Sequence, residues 1–205
     1  MKYDVIIVGA GPGGIFSAYE LMTVAPELKV AVIEAGNELK KRRCPIDGEK
    51  VTSCVGCKSC AIMSGFGGAG AFSDGKYNIT NDFGGSLYEY IGRKTAIDLM
   101  KYVDQINLDF GGAGTKMYST AGTGFKTICV QNKLKLLDAS VRHLGTDINY
   151  IVLENLYKKL SGKVDFFFNN PASKIEKTED GYRVITKKGE FEGAKCIVSV
   201  GRSGS

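Results

Sequence analysis

Three glycines and one acidic residue within the first 34 positions have the types and the spacing of a nucleotide-binding site. Gly9, Gly11 and Gly14 follow an apolar run at residues 5–8. Such a turn lets the backbone approach a pyrophosphate, and the following helix offers free N–H groups and a partial positive charge to that anion. Glu34 lies twenty residues beyond Gly14, where a carboxylate can bind both hydroxyls of an adenosine ribose and would repel a 2′-phosphate. The pattern predicts a site for FAD or NAD, not for NADP.

A βαβ unit must position these residues, and its three elements follow from the periodicity. Small and apolar side chains mark one face of a helix that Pro26 ends; they are Ile15, Ala18, Met22 and Ala25. An apolar second strand is predicted at residues 30–33. A strand–helix turn with a chance surface acid is the alternative, but strand, glycines, helix, strand and acid all occur in the required order.

Four cysteines form a second group with chemical potential: Cys44, Cys54, Cys57 and Cys60. Four thiolates in one loop can surround zinc or an iron–sulfur cluster, and the C-x2-C-x2-C triplet resembles part of a bacterial ferredoxin run, although the fourth cysteine lies upstream. We predict a metal or cluster site here. A reactive or disulfide-forming pair, Cys57 with Cys60, and plain buried cysteines stay open as alternatives. Cys129 and Cys196 stand alone in apolar surroundings and are predicted to be core residues.

A glycine-rich segment, residues 65–76 (GFGGAGAFSDGK), follows these cysteines directly. Its interleaved phenylalanines and its polar ending favour a formed loop over a flexible linker. Bare backbone in such a loop can approach a flat ring or a phosphate where side chains would collide. We therefore expect this segment to take part in the nucleotide site.

Helical periodicity returns at Ser86, where Ser86-x-x-Glu89 predicts a capping box and a helix that runs to about residue 111. Its expected buried face comprises Tyr88, Ile91, Thr95, Leu99, Tyr102 and Ile106. Another helix is predicted over residues 134–144. The single histidine, His143, would lie near its end and is interpreted as a capping or packing residue.

Strands and helices alternate again in the last third of the chain. The predicted elements are a helix at 147–160, a strand at 164–168, meander strands at 174–177 and 182–186 with a short third strand after the turn at 188–189, and a final strand at 196–200. Three antiparallel strands before the final strand indicate a β-meander crossover.

Composition and charge narrow the class of protein. The 205 residues suit one full domain that carries an excursion. The net charge of +5 is modest, and the basic residues are dispersed except at positions 40–43, which we interpret as a solvated loop. These features argue against nucleic-acid binding. No stretch has the length and apolarity of a membrane span or a secretory signal, so we expect a cytoplasmic protein without a disulfide framework.

Taken together, these features resemble the FAD-binding domain of the glutathione-reductase-like flavoproteins. The cysteine pattern, the glycine-rich segment and the sequence HLGTD at 143–147 look like bacterial and archaeal FAD-dependent dehydrogenases. The resemblance implies an α/β, Rossmann-like FAD-binding fold with a parallel sheet, a β-meander crossover and a long inserted cysteine/glycine-rich and helical segment. It divides the chain into a first part of the FAD-binding domain (1–35), the insert (36–160) and a returning part (161–205). Family members are longer, which implies that this chain is their amino-terminal part.

The resemblance also implies which residues contact FAD. They are Gly9, Ala10, Gly11, Pro12, Gly13 and Gly14 at the pyrophosphate, Glu34 and Ala35 at the ribose, Gly67, Gly68, Ser73 and Lys76 near the pyrophosphate or flavin, Ala172 at the adenine through its backbone, and Gly201 near the cofactor. No side chain stands out as a general acid or base, so no catalytic residue is predicted.

The expected function is that of an FAD-dependent oxidoreductase, in which the flavin transfers hydride or electrons for a small-molecule substrate. The cysteines could pass electrons to the flavin. An NAD-dependent dehydrogenase is one alternative, although NAD domains usually return through a helix and not through a meander. A non-catalytic module that senses cofactor or metal through the cysteine loop is another. Nucleic acid and membrane are not expected as partners.

Overall fold

The computed structural model describes residues 1–202, and the chain divides into two compact units. Residues 1–72 together with residues 153–202 form the first, which we call the sheet unit. Residues 73–152 form the second, the inserted unit. The cysteine segment and the first part of the glycine-rich segment therefore belong to the sheet unit, whereas the sequence-based division began the insert at residue 36.

The strands and helices alternate as the sequence predicts in the first and last thirds of the chain. The strands are β1 Lys2–Val8, β2 Val30–Ile33, β3 Lys76–Ile79, β4 Met117–Ser119, β5 Ser140–His143, β6 Val164–Phe167, β7 Ala172–Thr178, β8 Gly181–Thr186 and β9 Gly189–Val198. The α-helices are α1 Pro12–Val24, α2 Leu87–Ile91, α3 Arg93–Asn107, α4 Phe125–Gln131 and α5 Thr146–Leu160. Short 3₁₀ turns lie at Leu39–Lys41 and Gly68–Phe72, and a π-helical segment spans Leu108–Gly112.

The sheet unit is built on a six-stranded sheet in the order β6-β2-β1-β9-β8-β7. Strands β6, β2, β1 and β9 are parallel, and β9, β8 and β7 are antiparallel neighbours. Strand β1 has parallel neighbours on both sides, and its Ile6 and Ile7 are fully buried. Continuous apolar runs of this kind are typical of parallel strands covered on both faces. The α/β fold with a parallel sheet and a β-meander crossover is confirmed.

Strand β9 differs from the prediction in one respect. The third meander strand and the final strand, expected as two elements, form one continuous ten-residue strand. Gly193 pairs with Tyr182 of β8 on one side and with Tyr3 of β1 on the other. A Cβ on Gly193 would lie 2.9 Å from a side-chain carbon of Ile6. Glycine at this position therefore avoids a collision with Ile6 where the strand pairs with both neighbours.

The inserted unit corrects the predicted helix over residues 86–111. Gly92, with φ of 82°, separates α2 from α3, and the side chain of Ser86 makes no capping hydrogen bond. Leu99 and Tyr102, expected on the buried face, are 44% and 43% exposed. The buried face of α3 instead includes Ala96, Asp104, Ile106 and Asn107.

The predicted helix over residues 134–144 is also wrong. Strand β5 occupies the end of that stretch, lies between β3 and β4 in a three-stranded antiparallel sheet, and places the exposed His143 opposite Lys76. Its Arg142 is buried and donates to both carboxylate oxygens of Asp104, at 2.6 and 2.8 Å, and to the carbonyl oxygen of Thr115 at 2.6 Å. This ion pair buries one polar position of α3 and one of β5, which the apolar periodicity of the sequence does not predict.

Candidate dinucleotide site

The turn after β1 requires glycine at two positions. Gly9 has φ of 102°, in the region that favours glycine, and its N–H donates to the carbonyl oxygen of Ile33 at 2.8 Å. A Cβ on Gly14 would overlap the carbonyl oxygen of Gly9. Helix α1 starts at Pro12, and its N-cap residue, Gly11, supplies no side-chain cap. The first-turn N–H groups of α1 therefore have no side-chain cap and form a potential anion site.

Glu34 lies immediately after β2, and its side chain is buried, with 7% of the residue exposed. One carboxylate oxygen, Oε2, accepts the N–H of Ala10 at 2.7 Å. The other, Oε1, accepts the N–H groups of Gly36 at 2.8 Å and Gly65 at 2.9 Å. A carboxylate has about four lone-pair positions, so three backbone donors leave capacity for a further donor such as a ribose hydroxyl. Glu34 therefore holds three separate chain segments together.

The glycine-rich segment lies against the turn after β1. The N–H of Gly67 donates to the carbonyl oxygen of Ala10 at 2.8 Å, and Phe66 is fully buried. Gly68 has φ of 57°, and a Cβ there would lie 3.1 Å from the Cα of Gly11. Side chains at either glycine would fill this narrow gap, so the pair leaves bare backbone beside the helix N-terminus. The segment is a formed loop here, as the sequence predicts.

A buried arginine that the sequence analysis missed holds this loop in place. The guanidinium of Arg42 donates to the carbonyl oxygens of Ala61 at 2.9 Å, Ile62 at 2.7 Å and Phe66 at 2.6 Å. Burial lowers the pKa of Arg42, and the nearby charges of Glu34 and Cys60 oppose that shift. The interpretation of residues 40–43 as a solvated loop is therefore wrong for Arg42, which alone of the four is buried. No periodicity in the basic run distinguished it.

The cysteine segment does not form the predicted metal site in the structure. Cys54, Cys57 and Cys60 are exposed, and Cys44 is half-buried. Within residues 1–202, no group of three or more histidine, cysteine, aspartate or glutamate side chains is arranged to hold a metal ion. Burial raises the pKa of the half-buried Cys196 thiol, as expected for a residue packed in the core.

Three of the remaining predicted contact residues lie in the sheet unit and two lie in the inserted unit. Ala35 is exposed beside Glu34, and Ala172 opens β7 after a connection whose Asn169 and Asn170 bond back to the loop after β2. Gly201 is exposed beyond β9 and has φ of 63°. The other two belong to the inserted unit. Ser73 Oγ there accepts the N–H of Gly75 at 3.3 Å, and Lys76 pairs with Asp74 at 2.7 Å. Their contact with a cofactor stays a prediction.

Comparisons with known proteins agree with this geometry. A protein-family model described as the Thi4 family matches residues 1–38, which contain the first βαβ unit. None of the curated proteins compared matches the chain. Among the residues described, no helix has both the length and the apolar character that crossing a membrane requires.

Solved structures with the same architecture include glycine oxidase from Geobacillus kaustophilus, with a TM-score of 0.55 and 16% identity over 98% of this chain and 55% of that one. For glycine oxidase from Bacillus cereus the TM-score is 0.50 and the identity is 14%, over 97% of this chain and 55% of that one. For NikD, an unusual amino acid oxidase essential for nikkomycin biosynthesis, the TM-score is 0.50 and the identity is 11%, over 98% of this chain and 51% of that one. The chain thus spans about half the length of these structures, with which it shares the Rossmann-like fold of the sheet unit.

Proposed function

We propose that this chain forms the FAD-binding part of a flavin-dependent oxidoreductase. The observation that carries the proposal is the buried carboxylate of Glu34, because it joins the turn after β1, through Ala10, to the glycine-rich segment, through Gly65. The candidate pyrophosphate site, the candidate ribose-binding acid and the bare-backbone loop are thereby held at one place. The similarity to the solved structures of glycine oxidase and of NikD, an unusual amino acid oxidase, supports the same reaction class.

Each part of this site has a physical role in holding FAD. The N-terminus of α1 offers N–H groups and the positive end of its dipole to the pyrophosphate. Glu34 retains capacity for a ribose hydroxyl and repels a 2′-phosphate. Gly11 and Gly68 keep the space beside the helix free of side chains. Bound FAD would supply hydride or electron transfer, and the chain would bind, orient and shield it.

The path of the chain favours FAD over NAD. An NAD domain of the doubly wound type continues through a second set of crossover helices. Here the chain returns from β6 to β9 through the antiparallel strands β7 and β8, and β9 then pairs in parallel with β1. An NAD-dependent dehydrogenase is the alternative function, and cofactor titration separates the two.

The test is the visible absorption spectrum of the whole protein as purified, followed by titration with FAD and with NAD. We expect flavin bands that bleach on reduction, together with saturable FAD binding. A colourless protein that binds NAD tightly and FAD not at all would replace the proposal with its alternative. The substrate is proposed only as a small molecule that the flavin can oxidise or reduce, and a cytoplasmic location likewise stays a prediction.

The cysteine segment calls for a separate experiment, because a cluster or zinc site there remains a prediction that the structure does not support. Iron, zinc and sulfide would be quantified in protein purified without oxygen, and thiols would be alkylated in parallel. From the exposure of Cys54, Cys57 and Cys60 we expect rapid alkylation of all three. Protection of these thiols together with bound metal would favour the metal-sensing or electron-transfer role.

A further inference from the structure

Asn170 has a buried side chain for which the protein provides no hydrogen bonds. The residue is fully buried, and within the part of the chain that the structure describes neither Nδ2 nor Oδ1 has a partner. By contrast, within the described residues only one side-chain atom lacks a partner in Asn81 (Oδ1) and in Asn107 (Nδ2). An unmade hydrogen bond on a buried polar atom costs about 1–3 kcal/mol. A side chain with two such atoms indicates a partner that comes from outside the chain.

The backbone of the connection between β6 and β7 places Asn170 next to Glu34 in the sheet unit. Asn169 donates its N–H to the carbonyl oxygen of Gly36 at 2.8 Å, and Asn170 donates its N–H to the carbonyl oxygen of Glu34 at 2.9 Å. These bonds join the connection after β6 to the loop after β2, beyond the last paired residues of both strands. Asn170 therefore lies at the carboxyl edge of the sheet, next to the candidate ribose-binding acid.

The order of the strands then assigns a part of the nucleotide to each strand end. Strands β1, β2 and β6 are consecutive neighbours in the sheet. The glycine turn follows β1, Glu34 follows β2, and Asn170 follows β6. Neighbouring strands lie about 4.8 Å apart, and pyrophosphate, ribose and base are joined in that order in a nucleotide. With the pyrophosphate at β1 and the ribose at β2, the base comes to the end of β6.

We propose that the amide of Asn170 recognises the adenine of the bound dinucleotide and makes the site selective for a 6-aminopurine over a 6-oxopurine. This inference rests on the proposed function. A primary amide presents one donor and one acceptor side by side, and adenine presents the matching N6–H donor and N7 acceptor. A 6-oxopurine presents two acceptors on that edge, O6 and N7, so one bond is lost and two oxygens face each other. The match does not depend on which amide atom is assigned as oxygen.

Both amide atoms are buried, so the base reaches them only if the connection between β6 and β7 moves. Asn169 and Pro171, on either side of Asn170, are both exposed, so the flanking residues of this connection face solvent. Once the base is in place, exclusion of water strengthens both hydrogen bonds and raises the cost of a mismatched base.

Calorimetric titration of the full chain with ADP and with IDP tests the inference. The unaltered chain should prefer ADP by about 5- to 150-fold, the factor expected for one bidentate amide–adenine pair. Asn170→Leu, which replaces the amide with an apolar group of similar size, should abolish the preference without lowering the unfolding midpoint. Ser173→Ala, at an exposed neighbour whose hydroxyl bonds the carbonyl oxygen of Ile185, is the matched control and should keep the preference.

The outcomes separate the two proposals. Two results would overturn the adenine assignment while leaving the nucleotide site intact. In the first, Asn170→Leu prefers ADP over IDP as strongly as the unaltered chain does. In the second, the unaltered chain binds ADP and IDP with equal affinity. An internal water would then be the partner of the amide. Absence of binding to both ADP and FAD would instead overturn the proposed function, and the assignment with it.

Discussion

Replacing Glu34 with glutamine should destabilise the protein although the two side chains have nearly the same shape. The carboxylate accepts three backbone N–H groups, one on Oε2 and two on Oε1. Glutamine keeps only one acceptor oxygen, and its best orientation directs that oxygen to Gly36 and Gly65. The amide nitrogen then faces the N–H of Ala10, donor against donor.

The magnitude follows from these three bonds. A hydrogen bond to a charged group contributes about 1.5–3 kcal/mol, so the bond to Ala10 is lost at roughly that cost. The two remaining bonds, from Gly36 and Gly65, then have an uncharged acceptor and lose about half their strength. This loss is roughly 1 kcal/mol for each bond. We expect Glu34→Gln to lower the free energy of unfolding by roughly 3–5 kcal/mol, out of a total of about 5–15 for a typical domain.

Urea unfolding followed by circular dichroism measures this change directly. Glu27→Gln is the matched control, because Glu27 is exposed and surface substitutions usually stay within about 0.5 kcal/mol. The slope of the unfolding free energy against urea should be unchanged in both variants, so that the shift in midpoint reports stability. If Glu34→Gln unfolds within about 0.5 kcal/mol of the unaltered chain, the three N–H contacts do not hold the loop as we describe.

Three further predictions concern other parts of the molecule. Burial raises the pKa of Tyr3 from 10.0 to about 12. The hydrogen bond to Asp165 and the negative charge of that aspartate act in the same direction. As the pH rises from 10 to 12, the Tyr3 hydroxyl ionises in the unfolded chain before it ionises in the folded one, so the free energy of unfolding should fall. The fall should be less steep in Tyr3→Phe. Parallel curves of unfolding free energy against pH for the two proteins would refute this. Arg142→Met breaks a buried ion pair and should cost about 3–5 kcal/mol in urea unfolding. Lys126→Met breaks an exposed pair and should cost less than about 1 kcal/mol; equal effects would contradict our account of burial. Gly14→Ala should abolish FAD binding, because its Cβ would overlap the carbonyl oxygen of Gly9. Gly162→Ala, at an exposed glycine where a Cβ would meet nothing within 4 Å, should retain FAD binding in the same titration.

The first βαβ unit could be predicted closely from the sequence because its signals are local. Strand β2 covers residues 30–33 as expected, and α1 buries Ile15, Ala18 and Met22 on one face. Glycine turns, helix stops and apolar runs act within a few residues of themselves, so they can be read along the chain. The acid at Glu34 also lies where the motif requires it.

The inserted unit was harder to predict because its structure depends on one long-range pair. Arg142 and Asp104 are 38 positions apart and bury each other's charge. Neither residue would be expected in a core from its type alone. Their pairing buries one polar position of α3 and one of β5, which apolar periodicity does not predict. Arg42 was missed for the same reason, since its partners are backbone carbonyl groups about 20 residues away.

The contact of Arg42 with the carbonyl oxygen of Ala61 has a consequence for how the chain can vary. This bond closes residues 43–60 into a loop whose two ends meet at a fixed point. The entropy of closing a loop grows only with the logarithm of its length, so doubling the loop costs about 0.6 kcal/mol. The three backbone groups that bond Glu34, at Ala10, Gly36 and Gly65, all lie outside residues 43–60. The cysteine segment can therefore be shortened, lengthened or replaced at little cost in stability, and the nucleotide site can persist while the thiol chemistry beside it changes.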